Sequence, residues 1–143
     1  PAQFPYHPVR DFSAVSVVGV TPLVLVVNAE KVPARSVAEL ITFLKANPNL
    51  AYGSSGVGSS LHLAMELFLQ KTGTKMLHVP YKGSAPAFVD LMSGQLDGKF
   101  ESLVTSTGYV RGGKVRLLSV SGDTRSKTFP AVRLVFNGYG VYF

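Results

Sequence analysis

The sequence predicts an α/β domain built on a mainly parallel sheet flanked by helices. Three observations carry this expectation. Short β-branched runs alternate with stretches whose apolar residues recur at helical spacing. One such run passes directly through a glycine- and serine-rich turn, 53–60, into an amphipathic helix. At 143 residues, 46% hydrophobic and 15% charged, the chain holds enough apolar material for one domain with a packed core and no disordered tract.

The elements follow in order. Residues 1–12 are proline-rich and expected to be extended. Two β-branched runs, 12–20 and 23–28, are separated by Thr21-Pro22. The uncharged stretch 14–29 that contains them falls short of the ~20 apolar residues of a membrane span and carries that proline in its middle. It reads as two consecutive buried strands. Ser36-Val37-Ala38-Glu39 is a capping box, after which Val37, Leu40, Ile41 and Leu44 repeat at helical spacing as far as Asn47-Pro48. Leu50-Ala51-Tyr52 is a short strand feeding the glycine loop. The helix beyond it carries Leu61, Met65, Phe68 and Leu69 on one side and stops at Gly73. A strand over 76–79 ends in Pro80-Tyr81-Lys82-Gly83, and Ser84 is placed to cap a helix with Pro86 in its first turn, Val89 and Met92 inward and Gly94 at its end. A weak strand over 96–100, a helix over 102–110 closed by Gly112-Gly113, and a strand over 115–120 complete the pattern. In 131–143, Val135-Phe136-Asn137-Gly138-Tyr139 reads as a strand and hairpin turn.

The glycine loop Tyr52-Gly53-Ser54-Ser55-Gly56-Val57-Gly58-Ser59-Ser60 is the strongest functional signal. Glycines let backbone N–H groups approach a ligand, Ser59 or Ser60 can cap the helix, and the helix start favours an anion. Its spacing is G-x-x-G-x-G, not the dinucleotide fingerprint, and about twenty residues on the chain reads Leu77-His78-Val79-Pro80-Tyr81 where a ribose-binding acid would stand. Neither a phosphate-binding P-loop nor a G-x-S-x-G nucleophile elbow occurs. An unliganded strand-to-helix turn is the lesser alternative for the loop taken alone.

Bulk properties narrow the classes further. The chain has no Cys, which excludes a disulfide frame and thiolate chemistry. The net charge of +6 is spread along the chain without a dense basic run among aromatics, which argues against nucleic-acid binding and suits steering of small acidic ligands. The chain begins Pro1-Ala2-Gln3 with no methionine and no signal-peptide pattern, and so reads as a processed or excised piece.

Two long motifs in the right order give the chain a family resemblance. Tyr52 to Phe68 resembles one hallmark of the tripartite tricarboxylate transporter substrate-binding proteins (the Bug family), and His78-Val79-Pro80-Tyr81-Lys82-Gly83-Ser84-Ala85-Pro86-Ala87 resembles the second. Supporting stretches lie at 22–28, 36–41, 90–97 and 113–120, so the similarity runs from about Tyr6 to Pro130. The resemblance implies a secreted, periplasmic protein of the type II periplasmic-binding fold, in which two α/β lobes close around a small carboxylate that is passed to a membrane permease. On that reading residues 1–143 form one lobe, the second of the two, with hinge-strand segments near 12–28 and 114–121 and a divergent tail at 131–143. The family's first-lobe segment and its returning C-terminal helices have no counterpart here. Gly98-Lys99 departs from the family pattern, which has apolar strand residues there, and a lysine buried at that point needs a partner or an escape for its amine.

Candidate contacts follow from the two loops. Backbone N–H groups around Ser54, Ser55, Gly56, Gly58, Ser59 and Ser60 would hold one carboxylate, with the hydroxyls as adjustable donors. The turn Lys82-Gly83-Ser84-Ala85 would offer further N–H groups at a second helix start. Lys82 is either a countercharge or an ordinary exposed turn lysine. Tyr81 either packs beside the ligand or closes the core edge. Glu101 either meets a ligand group or offsets a helix dipole. His62 and Glu66, four apart, form an ordinary helical contact sooner than a metal pair, because no third ligand is near. His78 reads as structural, and His7 has no evident partners. No metal, cofactor or catalytic arrangement is expected.

The expected function is therefore a non-catalytic lobe recognising a small organic carboxylate, such as a di- or tricarboxylate or an acidic amino acid. An oligomerising interaction module is the alternative, since hinge strands without a partner lobe leave sheet edges open to a homodimer. A hydrolase built on the serine loop is a remote third reading, which Ser55→Ala would test.

Overall fold

The computed structural model describes residues 5–7, 9–122, 126–137 and 140–141. Its elements are β1 (Leu23–Asn28), α1 (Val37–Ala46), β2 (Ala51–Ser54), α2 (Ser60–Thr72), β3 (Leu77–Pro80), α3 (Ser84–Ser93), β4 (Gly98–Ser102), α4 (Leu103–Arg111), β5 (Val115–Ser121), β6 (Arg133–Asn137) and β7 (Gly140–Val141). The strands form one sheet in the order β3-β2-β4-β1-β5-β6-β7.

The α/β class stands, but the sheet is mixed in direction. β2 runs parallel to β3 and β4, and β5 parallel to β6, whereas β1 is antiparallel to both its neighbours β4 and β5, and β7 to β6. Five strands, β2 to β6, nonetheless run the same way, so the sheet is mainly parallel as expected, and the reversed strand in its middle is β1. Its run Leu-Val-Leu-Val-Val is continuously apolar because both of its faces are covered, and that pattern is the usual mark of a parallel strand. Leu25 and Val27 pack on one face with Tyr52, Met65, Phe68 and Phe100; Val24 and Val26 pack on the other with Ala87, Phe88, Leu91 and Val120. Helices α1 and α2 cover the first face and α3 and α4 the second.

The expected strand over 12–20 does not form. These residues are irregular and exposed, with Val15 98% and Val18 fully accessible. Both edges of β1 are already taken by β4 and β5, so the segment leading into it cannot pair with that strand.

The helix ends follow sequence chemistry closely. Ser36 caps α1 through the Glu39 N–H, and the Glu39 carboxylate accepts from the Arg35 N–H at 2.9 Å, one residue earlier than the usual capping-box return. Gly73 and Gly94 close α2 and α3 in the left-handed conformation. In α3 the cap is Gly83, not Ser84, and the buried face is Ala87, Phe88 and Leu91. Val89, expected inward, is 59% exposed, and Met92 is half-buried against the core. Starting the helix at Ser84 sets the inward stripe at 84, 87, 88 and 91, one residue away from the stripe through Val89. β4 starts at Gly98, two residues later than expected; a Cβ there would lie 3.3 Å from the Val26 carbonyl oxygen, so the close approach of β1 suits a glycine. The tail supplies strand β6 beside β5, while the turn at Gly138-Tyr139 lies outside the described residues.

Candidate ligand-binding edge

Because β2, β3 and β4 are parallel to one another, their C-terminal ends meet at one sheet edge. The glycine loop leaves β2, the turn 81–83 leaves β3, and α4 starts directly after β4. α2 and α3 thus begin at this one edge from opposite faces of the sheet, and their first-turn amides lie at the same end of it.

In the glycine loop, the backbone is shaped by two left-handed glycines, Gly56 (φ +134°) and Gly58 (φ +80°). Much of its polarity is used internally. The Gly56 N–H donates to Ser54 Oγ, the Gly58 N–H to His62 Nδ1 at 3.0 Å, and the Ser59 N–H to the Gly56 carbonyl at 3.2 Å. Ser59 is the N-cap of α2 and its Oγ accepts from the His62 N–H. The amides of Ser55, Val57, Ser60 and Leu61 carry no hydrogen bond among the described residues, so these are the donors the loop can offer. Gly53 is required for a different reason: a Cβ there would come within 2.5 Å of the buried Leu96 side chain. Ser59→Ala removes the cap and should cost about 1 kcal/mol, read as a shift of the urea midpoint with unchanged slope.

Each candidate residue has a definite place. Ser54 is fully buried, with its hydroxyl committed to His78 Nε2 at 2.7 Å and to the Gly56 backbone. Ser55, Gly56 and Ser59 are half-buried at the edge, and Gly58 and Ser60 are exposed. Tyr81 is half-buried and donates through its hydroxyl to Asp90 at 2.6 Å; burial, with that carboxylate, pushes its pKa up to about 12. Lys82 and Ala85 are exposed, and Gly83 (φ +115°) and Ser84 are half-buried. Glu101 is 3% exposed and lies within β4 rather than opening a helix. Its carboxylate accepts from Ser84 Oγ and, through Oε1, from the Ser102 N–H at 2.8 Å. Lys99, fully buried, places Nζ 2.8 Å from Glu101 Oε2 and 2.8 Å from Ser84 Oγ, with the Phe88 ring 4.3 Å away. The departure noted at Lys99 is thus met by pairing. Ser84 has no role as a cap, because its hydroxyl serves this pair.

Beneath the glycine loop, the rings of Tyr52, His78 and His62 are stacked, with centroids 4.9 Å apart for the first pair and 4.1 Å for the second. Tyr52 also donates to Glu66 at 2.5 Å, so Glu66 serves Tyr52 rather than His62. Among the described residues no group of three or more His, Cys, Asp or Glu could hold a metal. The stack escaped the sequence reading because its members lie on β2, α2 and β3. Two histidines, one in the first turn after the glycine loop and one just before Pro80, were the available signal.

Burial is the chief cause that lowers the His78 pKa below its ordinary 6.5, with His62 adding to it and Glu66 opposing. A depressed folded pKa means that the neutral ring is the favoured native form. Its stabilising contribution is complete above pH 6.5 and is lost as pH falls from there through the folded value. Thermal melts between pH 7.5 and 5 should show declining stability, and His78→Gln should flatten that decline.

The profile of the tripartite tricarboxylate transporter family receptor (TctC) matches residues 2–141. The chain belongs to this family. BugT of Bordetella pertussis is 40% identical over 129 residues, which are 90% of this chain and 39% of that protein. A Pseudomonas protein encoded in a tcbD-tcbE intergenic region is 34% identical over 138 residues, 96% of this chain and 41% of that protein. Among solved structures, R. palustris Rpa4515 with adipate superposes with a TM-score of 0.85 at 36% identity, covering 91% of this chain and 44% of that one. A structure described as a periplasmic transporter gives a TM-score of 0.85 at 38% identity, covering 92% and 44%. The chain therefore spans about 40% of the length of the relatives it matches. TctC proteins are substrate-binding receptors, not an enzyme class, and no helix among the described residues is long and apolar enough to cross a membrane.

Proposed function

We propose that this chain is a carboxylate-recognising lobe of a two-lobe periplasmic receptor that serves tripartite tricarboxylate-type uptake. In this reading it is the second lobe; residues 12–28 and 114–121 are its hinge segments, 131–143 is a divergent tail, and a first lobe and a membrane permease are its partners. It needs no metal or cofactor and performs no catalysis. The observation that carries the reading is the pair of helix starts at one sheet edge, each following a glycine turn, with the Ser55, Val57, Ser60 and Leu61 amides unspent. Adipate in the similar Rpa4515 structure supports a small organic carboxylate as the ligand class.

The test is an amide NMR titration of the chain with succinate, malate, glutamate and citrate to millimolar levels. Shifts concentrated at 55–61 and 82–85 are expected. If no acid moves those amides, the lobe by itself is not a receptor.

A second reading is favoured by one observation, the row of exposed valines at 15, 17, 18 and 20. A segment of this kind pairs readily with an equivalent segment of another copy, which makes an oligomerising module. Sedimentation velocity separates the two: a size that rises with concentration supports the module, and a constant monomer removes it.

A further inference from the structure

Lys99 and Glu101 stand two residues apart on one face of β4 and reach the starts of two helices. The Glu101 carboxylate bridges them, taking the Ser84 hydroxyl of α3 on one oxygen and the Ser102 N–H, at the cap of α4, on the other. It is an internal anion in the place where two helix dipoles converge. Set alone, it would put a full negative charge directly behind the 82–85 turn. Lys99 prevents this. Its Nζ lies 2.8 Å from Glu101 Oε2, 2.8 Å from Ser84 Oγ and 3.4 Å from the Ser84 carbonyl oxygen. In a buried setting such a pair acts over longer range than in water, because little solvent screens it.

We infer that Lys99 is a specificity-determining residue of the carboxylate site: its ammonium cancels Glu101, and so lets a doubly charged ligand bind at this edge. The inference rests on the carboxylate-receptor reading above. The role is electrostatic and indirect. Lys99 is fully buried, so it acts through the field behind the turn rather than by contact.

The charged and titratable groups around the ammonium are few. From its own strand it faces Glu101, and from α3 it meets Ser84 and the Phe88 ring. Val26, its register partner on β1, is apolar. The Tyr81–Asp90 pair and the exposed Lys82 flank the turn. The His62–His78 stack packs with Tyr52 of the core on the other face.

The experiment compares succinate with its monomethyl ester by NMR titration, in the parent chain and in Lys99→Met, Glu101→Gln and the double variant. A thermal melt of each confirms that it is folded. Lys99→Met should weaken succinate about tenfold and the ester only about threefold, since the exposed charge repels two ligand charges more than one. The double variant should return both to within about twofold of the parent, as neither charge remains. Glu101→Gln is the arm that remains informative if Lys99→Met does not fold. It should tighten succinate several-fold at neutral pH, with the gain over the parent shrinking as pH rises, since burial holds the Lys99 pKa below its ordinary value. Taking the ratio to the parent at each pH removes the contribution of the histidines.

A merely structural role would weaken both ligands equally, and that outcome overturns the inference while leaving the receptor reading intact. Equal succinate-to-ester ratios in Glu101→Gln and the parent at every pH overturn it likewise. If the parent binds neither succinate nor the ester, the receptor reading fails and the inference falls with it.

Discussion

Phe88→Ala is expected to destabilise the lobe by about 3–5 kcal/mol. The ring is fully buried between α3 and the sheet. It stacks on Tyr109 of α4 with centroids 4.2 Å apart and 18° between planes, and it lies under the Lys99 ammonium. Truncation therefore opens a cavity shared by two helices and also strips a buried cation of its aromatic neighbour. At roughly 3 °C per kcal/mol for a domain of this size, the melting temperature should fall by about 10–15 °C. Chemical denaturation of parent and variant checks the figure. A cost near 1 kcal/mol or less would contradict the packing of α3 and α4 on this face.

The second large effect is Lys99→Met, with an expected loss of about 3–5 kcal/mol, because one buried partner is left without its counter-ion. The side-chain exposures of Lys99 and Glu101, 0% and 4%, leave little solvent to screen the stranded carboxylate. Adding Glu101→Gln should recover most of the loss, since removing both charges of a buried pair is often close to neutral. A double-mutant cycle measured by urea unfolding gives the coupling directly. If the double variant is as unstable as the single, the methionine is failing for want of space and the electrostatic account is wrong.

Much of the fold was readable from local chemistry, and the exceptions share a cause. The capping box at Ser36, the left-handed glycines at 73 and 94, and the inward row Leu61, Met65, Phe68 and Leu69 all lie within one helix and its ends, where the deciding interactions are between near neighbours in sequence. What was least readable required knowledge of a distant partner. The direction of β1 depends on β4 and β5, more than seventy residues on, and a run covered on both faces looks alike in either direction. The 12–20 segment has strand composition but leads into β1, both of whose edges are taken. At the candidate edge the glycine loop and its Ser59 cap were legible, whereas the fate of each hydroxyl was not. Ser54 is drawn inward by His78 and Ser84 by Lys99, both of which arrive on other elements. Lys99 stood out in sequence only as an anomaly; its meaning needed Glu101, Ser84 and Phe88 around it.

The position of β1 also sets the order in which the chain can fold. It is the earliest of the described strands, yet it sits in the middle of the sheet, and its neighbours are supplied by 98–102 and 115–121. No hairpin of nearby residues can protect it, so closure of the sheet waits on contacts of long sequence separation, the circumstance that slows folding. During synthesis the apolar run 23–28 stays unpaired until 98–102 and 115–121 have followed, and is open to association meanwhile. A nascent chain halted before Val115 would hold β1 with only its β4 neighbour available, and one halted before Gly98 would hold it with none.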